Sequence, residues 1–213
     1  MSNRPPIPLR CLHLGRVAGL AVPWITTQDE PMFAGALMPA RRAVFGGVSR
    51  ERRDHVVLHR LCQVCGRGLE RRAVYIVRPV DVAEGWTAEP ALHPECAGYA
   101  AKACPILSGE KSHYRASPLV MDRLVDDWSQ THGPKESQHD GAPVHEYNTW
   151  LVDMSQYAVA DDKDRPGEIL GLALKDVQPL KVRLLRRSTQ EVEAAPFLDA
   201  LGRLFGGDGP EAS

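Results

Sequence analysis

The sequence lacks any apolar run of the length that a membrane-spanning helix needs, and its first residues lack the apolar stretch of a secretory signal peptide. Cysteine is scarce: the chain of 213 residues has five, an odd number, and most of them fall in pairs spaced like metal ligands. This usage indicates a reducing compartment rather than a disulfide framework. The formal net charge of −1 and the 43% of apolar residues are those of an ordinary globular protein. We therefore expect a cytoplasmic protein with no membrane contact.

Signatures of several enzyme classes are also missing. The chain has no P-loop, no nucleotide-binding glycine pattern, no nucleophile elbow and no pair of catalytic carboxylates. A zinc deaminase carries H-x-E before P-C-x2-C, whereas here a C-x2-C pair precedes the H-x-E of His93–Glu95. A nuclease built on a treble clef needs a histidine between the ligand pairs, and residues 73–86 contain none. We therefore expect a protein that is not an enzyme.

Two residue pairs carry the strongest chemical signal in the chain. Cys62 and Cys65 form a C-x2-C pair closed by Gly66, and after 27 intervening residues His93 and Cys96 form an H-x2-C pair. Two thiolates on a tight turn and a second pair of the same spacing are the ligand set of a four-coordinate zinc site. A catalytic zinc ion generally keeps three protein ligands and one open position. The sequence therefore predicts one structural zinc ion.

The residues around these pairs predict a strand followed by a helix. Residues 71–79 alternate with a period of two, which is typical of a strand. From His93 onward the apolar residues recur at helical spacing, and Pro94 suits a first helical turn because its missing N–H costs nothing there. A knuckle, strands and a helix that begins at the second ligand pair are the arrangement of a treble-clef zinc module. The predicted fold class is therefore α+β, with a central treble-clef-like zinc module.

Cys11, His13 and Cys104 are three of the cysteine and histidine residues that lie outside this ligand set. Cys104 is eight residues beyond Cys96, which corresponds to about 12 Å along a helix, so one ion cannot reach both. Cys11 and His13 have C-x-H spacing, but no second pair lies nearby to complete a site. We interpret Cys11, His13 and Cys104 as packing residues.

The remainder of the chain predicts two parts joined by a linker. Residues 1–128 hold an N-terminal segment and the zinc module, whose core is 61–107, and residues 129–144 form a linker nearly free of large apolar side chains. Residues 145–206 are expected to form a small sheet with a closing helix, followed by a frayed tail at 207–213. Helices are predicted at 50–60, with Ser49 as the cap, and at 117–128. Irregular backbone is predicted at 29–48. Strands are predicted at 18–25, 148–153, 156–160, 168–174 and 180–185.

Positive charge is concentrated around the knuckle. Residues 41–78 hold ten arginines against three acidic residues, a balance of +7, whereas residues 121–213 have a balance of −7. Such asymmetry is a sign of nucleic-acid contact, and seven arginines are candidates for it: Arg50, Arg52, Arg53, Arg60, Arg67, Arg71 and Arg72. Since nothing resembles a base-reading helix, we expect DNA or RNA to be bound without strong sequence preference. The alternative is a protein–protein adaptor in which zinc only holds the fold, with the arginines solvated or covered by the acidic C-terminal part.

The chain resembles a family of small Cys/His proteins from actinobacterial genomes, bacteriophages and prophages, a family with no established activity. The resemblance lies in GLAVPW, LCQVCG, AEPALHPECAGYAAKACPIL and the strand-rich tail, and it is strongest from Gly19 to Leu107. It implies a knuckle at Cys62, Cys65 and Gly66, a helix-opening pair at His93 and Cys96, and a terminal Cys-Pro at Cys104 and Pro105. Two segments depart from the family: the Arg-rich residues 46–55 are lengthened, and residues 78–86 lack the cysteine that members usually carry near a Gly-Pro. The resemblance implies a zinc site and a genomic setting but no reaction.

Overall fold

A computed structural model describes residues 4–29, 42–114 and 142–188 of the chain. The helix predicted at 117–128, most of the linker, the closing helix and the tail lie outside these residues. The described strands are β1 (Arg16–Val17), β2 (Leu20–Ala21), β3 (Thr26–Asp29), β4 (Arg42–Val48), β5 (Arg72–Val77), β6 (Trp86–Thr87), β7 (Tyr147–Asp153), β8 (Val159–Asp161), β9 (Ile169–Ala173) and β10 (Lys181–Arg186). The described α-helices are α1 (Arg50–Leu58), α2 (Pro79–Glu84) and α3 (Pro94–Ala103), and short 3-10 helices lie at Leu9–Cys11 and Met154–Gln156. This mixed content confirms the predicted α+β class.

One three-stranded antiparallel sheet joins the predicted zinc module to the C-terminal part. Its strand order is β10–β7–β5, with β7 in the centre. Trp150 of β7 lies opposite Tyr75 of β5 on one side and opposite Val182 of β10 on the other. Because β5 precedes the predicted linker and β7 follows it, the two predicted parts share a sheet. The boundary at 129–144 itself stays a prediction, since most of that segment lies outside the described residues.

Both faces of this sheet are buried at β5. Successive side chains of a strand point to opposite faces, and β5 follows this rule. Val74 and Ile76 belong to one apolar core, which also contains the predicted cysteine ligands. Ala73, Tyr75 and Val77 belong to a second core, which they share with side chains of α1 and β9. The alternation predicted for this strand is confirmed, and the candidate metal site lies on one defined face of the sheet.

A second antiparallel sheet covers the other face. Its order is β6–β9–β8, and Leu172 of β9 lies opposite both Thr87 and Val159. The buried Arg53 of α1 donates a hydrogen bond of 2.9 Å to the carbonyl oxygen of Ile169 at the start of β9. The helix that precedes the knuckle is therefore bound to the C-terminal strands. The predicted strands at 148–153, 168–174 and 180–185 correspond to β7, β9 and β10. Of the strand predicted at 156–160, only Val159 and Ala160 belong to β8, and Gln156 belongs to a 3-10 helix.

The helices agree with two predictions and add one helix that was not predicted. The Ser49 side chain accepts a 3.4 Å hydrogen bond from the Arg52 amide and begins α1, which ends two residues before the predicted end. Helix α3 begins at Pro94, as predicted. Helix α2 was not predicted; the buried Asp81 carboxylate accepts the Arg78 amide at 2.8 Å and stabilises its first turn.

The prediction of irregular backbone at 29–48 is wrong for residues 42–48, which form β4 and pair with β3. That prediction rests on the glycine and proline residues spread over 29–48. Gly46 and Gly47 lie where the ladder shifts register, between the pairs Thr26–Val48 and Gln28–Ala43, and the strands pair on both sides of this irregularity. The strand predicted at 18–25 is limited to Leu20–Ala21.

Candidate metal centre

The four predicted ligands meet in one buried cluster. The ligand atoms of Cys62, Cys65, His93 and Cys96 all lie within 4.8 Å of one another, and all four side chains are buried. The first pair lies between α1 and β5; His93 is the residue before α3, and Cys96 is in its first turn. Three sulfurs and one imidazole nitrogen are a donor set that zinc accepts in a tetrahedron. The residues present therefore fit a single divalent metal ion.

The backbone of the knuckle is fixed by its own hydrogen bonds. The Cys62 amide donates to the Arg67 carbonyl at 2.8 Å, and the Gly66 amide donates to the Cys62 carbonyl at 2.7 Å. Gly66 has φ of +70°, which only glycine adopts readily. The Trp24 amide donates to the Val64 carbonyl at 2.9 Å, so the N-terminal segment is hydrogen-bonded to the turn. These contacts place both sulfurs on the same side of the turn.

The orientation of the His93 ring suits a metal ligand. Its Nδ1 atom lies 3.4 Å from the Cys65 sulfur, and its Nε2 atom lies 2.9 Å from the Gly68 carbonyl oxygen. A carbonyl oxygen only accepts, so Nε2 carries the hydrogen and donates it. The neutral ring then presents the lone pair of Nδ1 to the cluster. In metal-binding histidines, a hydrogen bond from the ring nitrogen that does not bind the metal sets the tautomer in this way.

The cluster perturbs the acid–base properties of its members. The thiol of Cys62, followed by that of Cys96, holds the pKa of Cys65 well below its ordinary value. The sulfurs of Cys62 and Cys65 raise the pKa of Cys96 and bring the pKa of His93 up to about 10. Several thiolates repel one another at this distance unless a cation neutralises them. Because thiolate and neutral imidazole are the ligating forms, a bound divalent ion would displace these protons.

A fourth thiol lies beside the cluster. The buried Cys11 sulfur is 3.8 Å from the Cys96 sulfur, and burial raises the pKa of the Cys11 thiol. Cys11 belongs to the same apolar core as the three candidate cysteine ligands, which agrees with a packing residue. Its proximity to Cys96 was not predicted, because a lone C-x-H spacing does not indicate which distant residue it will touch. Cys104 is half-buried at the end of α3, and His13 is exposed.

Four of the seven candidate arginines are engaged inside the chain. Arg50 forms an ion pair of 2.7 Å with Glu168, and Arg53 is buried against Asp54 and the Ile169 carbonyl. Arg52 donates to the Trp24 carbonyl at 2.9 Å. The guanidinium group of Arg60 lies 5.4 Å from the centre of the Tyr157 ring. These four side chains are held by internal contacts of α1 and of the residues that follow it.

The other three candidates point outward beside the cluster. Arg67 and Arg72 are exposed, and the Arg71 side chain is 84% exposed and lies 3.9 Å from the Asp153 carboxylate. Arg71 and Arg72 also border a shallow cavity of about 260 Å³ whose other walls are Glu70, His93, Pro94 and Glu95. The outer arginines are therefore Arg67, Arg71 and Arg72. Arg60 is also exposed but contacts the Tyr157 ring, whereas Arg50, Arg52 and Arg53 are buried or half-buried.

No family model matches the chain, and comparisons with curated proteins and with solved structures give no significant match. The kinship with the actinobacterial and phage family stays a prediction. Among the helices that the structure describes, none is long and apolar enough to cross a membrane. The site itself defines the class: an α+β protein with a buried Cys3His cluster that could hold a metal ion.

Proposed function

We propose that Cys62, Cys65, His93 and Cys96 bind one zinc ion whose role is to hold the fold. The observation that carries this proposal is that all four ligand atoms lie within 4.8 Å of one another and are buried. Four protein ligands fill a zinc tetrahedron and leave no position for a substrate or an activated water. This completeness supports a structural ion and a protein that is not an enzyme.

The surrounding elements support a treble-clef module. The knuckle at 62–65 is followed by β5, and Val74 of β5 forms a bridge with Leu92, next to His93. Helix α3 then begins immediately after His93. The ion would thus connect a turn, a strand and a helix whose apolar surfaces are small, and such modules depend on metal for folding.

Elemental analysis of freshly purified protein tests the zinc proposal. We expect about one zinc per chain, and we expect Cys62→Ser to lose it. Cys104→Ala is the matched control, because Cys104 lies outside the cluster and should keep full occupancy. Wild-type protein without zinc, or Cys62→Ser with unchanged metal content, would refute the proposal.

We further propose that the module contacts the phosphates of DNA or RNA through the outer arginines Arg67, Arg71 and Arg72. Their exposure supports this role, and arginine binds phosphate with two parallel hydrogen bonds. Arg50, Arg52, Arg53 and Arg60 are left out of the proposed contact because they are held by internal partners. The rigid knuckle and strand β5 would present the three guanidinium groups at fixed positions.

A specific observation favours the adaptor alternative. Arg10 pairs with both Glu70 and Glu95, and Asp153 lies near Arg71, so acidic groups offset part of the positive charge around the outer arginines. A mobility-shift titration at low salt separates the two functions. Binding in the range of about 10⁻⁴ to 10⁻⁶ M supports nucleic-acid contact. Absence of any shift at these concentrations leaves the adaptor function as the proposal. We propose a cytoplasmic location for the protein under either function.

A further inference from the structure

We propose that His55 and His59 form a second, exposed metal site that binds one divalent late transition-metal ion such as Ni²⁺, Cu²⁺ or Zn²⁺. The two residues are four positions apart at the end of α1, so their side chains lie on the same face of the helix, one turn apart. Both rings are exposed, and their centroids are 4.4 Å apart. The sequence signal for this site is the H-x3-H spacing of His55 and His59, which differs from the x2 spacing of the two predicted ligand pairs.

The distance between the rings matches joint binding of one ion. With metal–nitrogen bonds of about 2.1 Å, the centroid of an imidazole lies about 3.2 Å from the ion. Two imidazoles bound at about 90° to each other then have centroids about 4.5 Å apart. The observed separation is 4.4 Å, with an angle of 46° between the ring planes. The separation of the two rings is therefore compatible with both binding one ion.

The pair is held in place from one side by Trp24. The His55 ring stacks on the Trp24 ring with centroids 5.7 Å apart and planes inclined by 28°. Trp24 is itself fixed, because its amide is bonded to the Val64 carbonyl and its ring packs on Gly66. A ligand whose rotamer is already restricted loses less entropy when it binds an ion.

The charges around His55 and His59 are compatible with a bound cation. Arg52 is directed to the carbonyl oxygens of Trp24 and Thr26 and lies over the Trp24 ring, and Arg60, which follows His59, lies over the Tyr157 ring. Glu51 is exposed one turn before His55 and adds a carboxylate to the same face of the helix. Water can complete the coordination, because both imidazoles are open to solvent.

The donor set determines the class of ion. Imidazole nitrogen suits nickel, copper and zinc, whereas magnesium and calcium take oxygen ligands. A site of two imidazoles and solvent lacks the thiolates that would favour zinc strongly over the other late transition metals. The site is thus chemically distinct from the Cys3His cluster and shares no ligand with it.

A titration of tag-free, zinc-loaded protein with Ni²⁺ tests the proposal. Isothermal calorimetry should report one Ni²⁺ site in the wild type, and the fluorescence of Trp24 should be quenched as the ion binds beside its ring. We expect His55→Ala and His59→Ala each to weaken this site at least about tenfold, because each leaves a single imidazole. His13→Ala is the matched control, since His13 is another exposed histidine and should leave the site unchanged.

Three results would overturn the second site: no Ni²⁺ binding by the wild type, equal binding by His55→Ala, or equal weakening by His13→Ala. Trp24→Phe checks the fluorescence signal, because it should remove the quenching and leave the calorimetric site in place. Zinc content measured in the same samples reports on the Cys3His cluster, so failure of one site is distinguished from failure of the other.

Discussion

Trp24 and Gly66 are packed so closely that a β-carbon at Gly66 would lie 2.5 Å from the Cδ1 atom of the indole ring. The contact joins the N-terminal segment to the turn that carries Cys62 and Cys65. Gly66 also has φ of +70°, a conformation that other residues adopt only with strain. Steric and conformational requirements therefore coincide at one residue of the knuckle.

We expect Gly66→Ala to destabilise the protein by about 2 to 4 kcal/mol, because it combines backbone strain with a clash in a packed region. Chemical denaturation followed by circular dichroism measures this change. Gly68→Ala is the matched control two residues away: its added methyl group meets no atom within 4 Å, so we expect a small effect. Equal destabilisation by the two substitutions would contradict this interpretation of the knuckle.

Removal of the metal should unfold the central module. The ligands connect the knuckle to α3 within one apolar core, so we expect loss of the ion to separate these elements and expose that core. A strong chelator should lower the melting temperature of the wild type markedly and leave that of Cys62→Ser nearly unchanged. A wild-type melting curve that is the same with and without chelator would argue against a structural ion.

Two buried tyrosines should respond differently to loss of the hydroxyl group. Among the residues that the structure describes, the buried Tyr75 hydroxyl meets no hydrogen-bond partner, whereas the Tyr157 hydroxyl donates to the Val57 carbonyl at 2.7 Å. We expect Tyr157→Phe to cost about 1 kcal/mol, and Tyr75→Phe to be neutral or stabilising because a desolvated, unpaired group is removed. Denaturant midpoints of the two variants provide the comparison, and a larger loss for Tyr75→Phe would contradict it.

A chain cleaved within the predicted linker at 129–144 should remain one particle. Strand β5 on one side of the cut pairs with β7 on the other, and Arg53 on the first piece donates to Ile169 on the second. After cleavage near Lys135, the two pieces should elute together in size-exclusion chromatography and separate only in denaturant. Separation under native conditions would show that the shared sheet contributes little to stability.

The outer arginines can be tested by the dependence of binding on salt. If Arg71 and Arg72 each contact one phosphate, the double variant Arg71→Ala/Arg72→Ala should reduce the log–log salt slope by about 2. Arg183→Ala/Arg187→Ala is the matched control, because it removes two exposed arginines at and just after β10. An equal loss of affinity in both double variants would indicate general electrostatic attraction instead of a defined contact.

The sequence was most informative where chemistry requires particular residues at short spacing. The two ligand pairs, the Ser49 cap and the start of α3 at Pro94 depend on neighbours within a few positions, and the structure places each as predicted. The strand β4 was missed because its glycines resemble a loop and only pairing with β3 stabilises it.

Contacts between distant residues could not be predicted from one sequence. Arg50 forms an ion pair with Glu168, and Arg53 donates a hydrogen bond to the Ile169 carbonyl; both partners are more than 100 positions away. The approach of Cys11 to Cys96 likewise results from the packing of the N-terminal segment on α3. A charge count therefore overestimated how many arginines face outward, since it counts side chains without their partners.

The separation of paired strands along the chain has a consequence for the order of events during synthesis. All four candidate ligands are present once residue 96 has been made, whereas Val74 must wait for its partner Leu151, 77 positions later. Until then one edge of β5, with its apolar side chains, has no neighbouring strand. Capture of an ion by the nascent chain would hold this edge in place next to the knuckle and α3. Metal supply during translation would then govern the yield of native protein, because non-local strand pairing is slow and exposed edges aggregate.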